Sequence, residues 1–269
     1  MDNRPIGVFD SGLGGLTVFK EITALLPGES VIYFGDSGRA PYGTKSRETI
    51  IKYTLQDVRF LLSHDIKMLV MACNTMSAFS YERIKMSFDI PVIEVIGAGA
   101  VTAVLHTKNK KIGVIGTTAT INSGAYEKAI SRLDSTIETY QKACPLFVPL
   151  VEEGREWWEN DIAMRIAENY LLPLKQKGID TLVLGCTHYP LLQKIISGIM
   201  GGVKLVSSAL EVARVVKNTI MDNNMHRDPR HKPDYRYYTS DSVEKFGQLC
   251  GIILGRAVDN AEKIDIEKY

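Results

Sequence analysis

Cys73 and Cys186 each stand where an apolar run meets a short polar one. Met68-Leu69-Val70-Met71-Ala72 leads into Cys73-Asn74-Thr75, and Thr181-Leu182-Val183-Leu184-Gly185 leads into Cys186-Thr187-His188. A free cysteine in an apolar segment is ordinarily a small core hydrophobe. Cys144, beside Pro145, and Cys250, in an apolar helical stretch, read that way. Cys73 and Cys186 differ because each closes a strand, at matching places in the chain. Two thiols on opposite sides of one carbon suit a reaction that takes a proton from one face and returns one to the other. With each sulfur ~3.5 Å from that carbon, the two would lie roughly 7 Å apart. That exceeds the ~2.05 Å of a disulfide, so the pair need not oxidise. One must begin as thiolate and the other as thiol. A free thiol titrates near ~8.5, and a neighbouring cation lowers that value. His188 could hold the proton taken from Cys186. Asp10 raises the pKa of any nearby thiol, but it could accept a hydrogen bond from Cys73 or relay its proton.

Two further loops are rich in small and polar residues. Asp10-Ser11-Gly12-Leu13-Gly14-Gly15 opens a helix, where an anion is favoured. Thr17 stands in place of the third glycine of a dinucleotide fingerprint, and no Gly-Lys-Ser/Thr follows, so a carboxylate is a better guest there than a nucleotide phosphate. Gly35 to Thr44 (GDSGRAPYGT) is a turn-rich loop. None of the four strand-end motifs contains a lysine, Lys45 lying just past the second, so no Schiff-base cofactor such as pyridoxal phosphate is expected. The cysteines form no C-x-x-C pair, and no structural zinc is expected.

The elements that must position these loops follow from apolar periodicity. Ile6–Phe9, Val31–Phe34, Met68–Ala72, Val92–Ile96, Ile112–Ile115, Thr181–Leu184 and Val203–Val206 read as strands. Between them run helical patterns, such as Leu16, Phe19, Ile22 and Leu26, or Ile51, Leu55, Val58 and Leu62 behind the N-cap candidate Ser46. This alternation predicts an α/β fold with doubly wound parallel sheets, ligands binding at the strand ends. A weak repeat refines it. The segment from Ile6 resembles the one from Ile112, and Ile66–Thr75 resembles Ile179–His188, at nearly equal offsets. Two similar parallel-sheet domains would then face each other, with the active site and both cysteines in the cleft between them. Asn223 to Pro233 breaks the rhythm as a polar, exposed loop. Tyr235–Thr239 follows as a possible strand, and Asp241 with Glu244 resembles a capping box.

The chain has 269 residues, enough for two domains, with 45% hydrophobic and 23% charged residues. Lys plus Arg number 32 against 31 Asp plus Glu. That balance gives no electrostatic case for nucleic acid or an anionic membrane as the main partner. Ile90 to Leu105 is the longest mostly apolar stretch, but Glu94 interrupts it and it is too short to span a bilayer. With no signal-peptide pattern after Met1, a cytoplasmic protein with reduced cysteines is expected.

The motifs DSGLGG (10–15), GDSGRAPYG (35–43), ACNTMSA (72–78), IGVIGTTAT (112–120) and GCTHYP (185–190) resemble those of bacterial glutamate racemases, within the wider aspartate/glutamate racemase superfamily. The resemblance runs in order over nearly the whole chain. It implies interconversion of L- and D-glutamate without a cofactor or metal, supplying D-glutamate for peptidoglycan, in a homodimer. It implies Cys73 and Cys186 as paired acid/base residues. Asp10, Ser11, Pro41, Tyr42, Gly43, Asn74, Thr75, Thr187 and His188 would bind or orient glutamate. Thr117 and Thr118 would line the second half, and Glu152 would assist from behind. The implied domains are 1–97 with 208–269, and 98–207. Ser207-Ser208-Ala209 departs from the Asp-Ser-Ala turn frequent in the family, which puts local packing in doubt. A racemase of aspartate or another acidic amino acid shares the chemistry. A non-catalytic acidic amino-acid binder would not need the paired thiols, and an interaction protein finds no support in the near-zero charge.

Overall fold

The computed structural model describes residues 1–269. The first half contains β1 (Ile6–Asp10), α1 (Leu16–Leu25), β2 (Val31–Gly35), α2 (Arg47–Leu62), β3 (Met68–Met71), α3 (Asn74–Ser87) and β4 (Val92–Glu94). After α4 (Val95–His106) come β5 (Lys111–Gly116), α5 (Thr118–Asn122), α6 (Ala125–Leu133), β6 (Glu138–Ala143), α7 (Phe147–Glu152), α8 (Asp161–Lys175), β7 (Thr181–Gly185), α9 (Gln193–Met200) and β8 (Lys204–Val206). The chain then returns through α10 (Ala209–Asp222), β9 (Tyr235–Thr239), α11 (Val243–Leu254) and β10 (Ala261–Lys263).

Six strands form one sheet in the order β10-β9-β2-β1-β3-β4, and four form another in the order β6-β5-β7-β8, with every pair parallel. The order β2-β1-β3-β4 in the first sheet therefore recurs as β6-β5-β7-β8 in the second. The register recurs as well. Ile6 lies opposite Met68, and their counterparts in the repeat, Ile112 and Thr181, lie opposite each other. The internal repeat is thus a repeat of topology, and it carries Cys73 and Cys186 to equivalent strand ends.

Alternate side chains explain why the strands read as unbroken apolar runs. In β1 and β3, Ile6, Val8, Met68 and Val70 join α1, α10 and α11 on one face, while Phe9, Leu69 and Met71 join α2 on the other. In β5 and β7, Leu182 and Leu184 pack with α8 and α9, and Ile112, Val114 and Val183 with α4 and α6. The apolar stretch from Ile90 resolves into β4 and the bridging helix α4. Val95 and Ala98 of α4 enter the first half's core, and Ile96, Ala100 and Ala103 enter the second's. Val101 and Leu105 of the same helix are left exposed. No helix is long and apolar enough to cross a membrane.

Four local readings are corrected. The strand expected over Val92–Ile96 stops at Glu94, because the Glu94 carboxylate accepts from the backbone N–H of Ile96 and Gly97 and so starts α4. The strands β6 and β10 were not expected; ETYQKA is half-buried at a sheet edge and carries no apolar run. The last helix is capped by Ser242, whose hydroxyl accepts from Lys245 N, rather than by Asp241. The 223–233 loop is exposed in part but also tied down: Lys67, buried against Glu29 at 2.6 Å, donates to the Met225 carbonyl, and Glu29 accepts from Arg227 N. Ser46 caps α2 as expected, accepting from Thr49 N. At the family departure, Ser207 Oγ accepts from Ala209 N, and Ser208 is buried.

Candidate active site

A cavity of about 280 Å³ lies at the facing strand ends of the two sheets. Both thiols are on its wall, Cys73 as the N-cap of α3 and Cys186 directly after β7, and they are 5% and 6% exposed. All four cysteines are free, with Cys144 and Cys250 packed in the cores of the two halves.

The surroundings of the two sulfurs differ. Cys73 Sγ lies 3.4 Å from Ser11 Oγ. Burial, and then the Asp10 carboxylate, push its pKa up to about 12; the contacts of Ser11 and of the Met76 amide at the start of α3 offset this only in part. Cys186 Sγ lies 3.8 Å from His188 Nδ1, and His188 Nε2 lies 3.1 Å from Glu152 Oε1. Burial disfavours charge on this imidazole, but its contacts with Cys186 and Glu152 outweigh burial and raise its pKa well above the ordinary value. Burial likewise opposes the Glu152 carboxylate, and His188 more than compensates, so its pKa is lowered. The second half therefore holds a sulfur–imidazolium–carboxylate series.

The expected residues converge, with one exception. Ser11, Pro41, Tyr42, Gly43, Asn74, Thr75, Thr117, Thr118, Thr187, His188 and Glu152 all line the cavity with the two cysteines. Asp10 does not; it is completely buried. Nor does it take a hydrogen bond from Cys73. Its carboxylate accepts from Gly12 N at 3.0 Å and from Thr187 Oγ1 at 3.2 Å, so it reaches across to the loop of the other cysteine. Gly14 of the glycine-rich loop also serves that contact, while Ser11 of the same loop lines the cavity. A Cβ at Gly14 would stand 2.3 Å from Thr187 Oγ1 and 2.5 Å from His188 Nδ1. Likewise a Cβ at Gly43 would stand 2.6 Å from Thr117 Cβ. These glycines let the two halves close on each other.

Three hydroxyls from the two halves make one hydrogen-bonded triangle, Thr75 with Thr117 at 2.9 Å and with Thr120 at 3.2 Å, and Thr117 with Thr120 at 2.9 Å. Tyr126 OH donates to Asn74 Oδ1 at 2.6 Å, which fixes the amide and leaves its buried Nδ2 without a partner.

The profile of the Asp/Glu/Hydantoin racemase family matches residues 6–216. The chain belongs to that family. It is therefore an isomerase of the racemase type. It is 46% identical over 265 residues to the glutamate racemase of Geobacter metallireducens, covering 98% of this chain and 97% of the relative. Its fold is similar to a glutamate racemase isoform from Bacillus anthracis (TM-score 0.93, 40% identity, 98% of each chain covered). It is also similar to the Francisella tularensis glutamate racemase solved in complex with D-glutamate (TM-score 0.94, 39% identity, all of each chain covered).

The racemase's cavity also has lining residues that sequence reading missed. Pro145, Leu146, Val148 and Pro149 give the cavity an apolar side, and Ala40 and Thr44 extend its loop wall. Behind that loop lies a buried cluster around Asp36, Arg39 and Asp57. The charged letters of GDSGRAPYG were its only signal, because the partners come from distant elements. No group of three or more His, Cys, Asp or Glu is arranged to hold a metal ion.

Proposed function

We propose that the chain is a glutamate racemase that works by two-base proton transfer between Cys73 and Cys186. The observation that carries the reading is the pair of free thiols, brought from matching strand ends of the two halves to the wall of one cavity. With L-glutamate, the Cys186 sulfur takes the α-proton, and the Cys73 thiol gives its proton to the opposite face. D-glutamate leaves, with the thiol now at Cys186 and the thiolate at Cys73. The reverse reaction starts from that second state.

Substrate carboxylates suit the rest of the wall. Asn74 Nδ2 is a buried donor without a partner, beside the N-terminus of α3, where negative charge is favoured. Ser11, Thr75, Thr117, Thr118 and Thr187 add hydroxyls, and the Pro41–Gly43 loop adds backbone. The His188–Glu152 pair offers positive charge beside Cys186. The chemistry asks nothing of a cofactor or metal.

The same reading assigns residues 1–97 with 208–269 to one domain and 98–207 to the other. It makes the protein a cytoplasmic homodimer that supplies D-glutamate for peptidoglycan. The test is circular dichroism of purified protein incubated with L- and D-glutamate and with both aspartates. Loss of optical activity with either glutamate enantiomer is the expected result. Preference for aspartate would move the substrate assignment, and binding without racemisation would leave only an acidic amino-acid binder.

A further inference from the structure

We propose that Arg39 and Asp36 are positioning residues that set the Pro41–Gly43 wall of the substrate cavity, with Glu267 as their outer support. This rests on the assignment of that cavity to glutamate. Neither Arg39 nor Asp36 lines the cavity, yet both are tied to the residues that do.

Arg39 engages all three nitrogens of its guanidinium. Nε donates to Asp36 Oδ2 at 2.7 Å, Nη2 to Asp57 Oδ1 at 2.9 Å, and Nη1 to Gln56 Oε1 at 2.6 Å and Glu267 Oε1 at 3.0 Å. The Tyr53 ring lies 4.0 Å below. Asp36 is completely buried and takes three side chains at once: Arg39, Ser240 Oγ at 2.6 Å, and the Tyr42 hydroxyl. Arg39 and Tyr42 therefore flank Ala40 and Pro41 and are anchored to the same carboxylate. Gly43 then presses against Thr117 of the other half. The loop is held at both ends, and its backbone has one place to stand.

A planar fork with five donors can serve these four acceptors together, and an ammonium cannot. Removing the fork should loosen the wall without touching either thiol. A wall that grips substrate away from the exchanging proton gives binding shared by ground and transition states, and its loss appears in KM rather than kcat.

The experiment is steady-state kinetics in both directions, with the dissociation constant of D-glutamate from calorimetry, for Arg39→Lys, Asp36→Asn and Glu267→Gln. Losing charge-assisted hydrogen bonds should raise KM and the dissociation constant about tenfold to a hundredfold in Arg39→Lys and Asp36→Asn, equally for both enantiomers, with kcat within about threefold. Glu267 is 60% exposed, so Glu267→Gln should give only about a twofold rise. A fall in kcat at constant KM, or unchanged binding in folded Arg39→Lys and Asp36→Asn, overturns the proposal. If those two variants do not fold, unchanged binding in Glu267→Gln overturns it and the twofold rise supports it. A wild-type protein that neither binds nor racemises glutamate would instead overturn the substrate assignment.

Discussion

The Cys73 and Cys186 loops share a place in the fold and differ in charge. Each follows the strand next to one edge of its sheet, β3 or β7, in the same register with its neighbour, and the two residues are almost equally buried. Around Cys73 the foremost charge is the Asp10 carboxylate, and the Met76 amide at the start of α3 does not outweigh burial. Around Cys186, a histidine backed by Glu152 supplies a cation. A duplicated scaffold thus delivers two thiols symmetrically, while three side chains, Asp10, His188 and Glu152, make them chemically unlike. That suits a reaction in which one sulfur must hold a proton while the other does not.

The largest test of this comparison removes each sulfur in turn. Cys73→Ser and Cys186→Ser should each lower racemisation by about 10²- to 10⁴-fold, the usual size of one acid/base contribution. In heavy water, early wild-type product should carry deuterium at the α-carbon while recovered substrate carries almost none. Equal early labelling of both enantiomers would point to a single exchanging base, and the two loops would then not be partners at all.

A smaller effect separates the supporting residues. His188→Asn removes the cation beside Cys186 and should slow proton abstraction from L-glutamate more than from D-glutamate, by about a hundredfold in kcat. A partnership of Asp10 with Cys73 alone would make Asp10→Asn do the reverse. Asp10 in fact touches Thr187 as well, so its loss should disturb both directions, with abstraction from D-glutamate still the more affected. The equilibrium between enantiomers stays at unity, so the kcat/KM ratio is fixed and the asymmetry must appear in primary deuterium isotope effects measured in each direction. Matching isotope effects in both directions for His188→Asn would detach His188 from Cys186.

Much of this was legible in the sequence, for physical reasons. Strands buried on both faces, such as β1 and β7, announce themselves as unbroken apolar runs, and the repeat pointed to two similar halves. The cysteine loops were legible because polar residues directly after such strands must emerge at a sheet edge. The edge strand β6 was not, since a half-solvated strand needs no apolar run. Nor was the role of Gly14, which reads like a ligand cradle but makes room for Thr187 and His188. The partners of Asp10 and Arg39 lie 177 and 228 residues away at the far end, and periodicity carries no information about such pairings.

The smallest test reads the charge difference directly, through alkylation by iodoacetamide, which attacks thiolates. The two residues are 5% and 6% exposed, so their burial alone sets no order. A raised thiol pKa means the reactive form is scarce at neutral pH and grows as pH rises. With its pKa pushed up to about 12, Cys73 should be modified slowly at pH 7.5. Its rate should then climb about tenfold per pH unit to pH 10 with no plateau, since titration is still incomplete there. Cys186, 3.8 Å from the His188 imidazole, should be modified first, at least about tenfold faster at pH 7.5. D-glutamate should protect both, because they share one cavity. Mass spectrometry of peptides at each pH gives both rates. If Cys73 reacts first, or levels off below pH 9, the proton does not rest on Cys73, and the charge difference between the loops does not set the starting state.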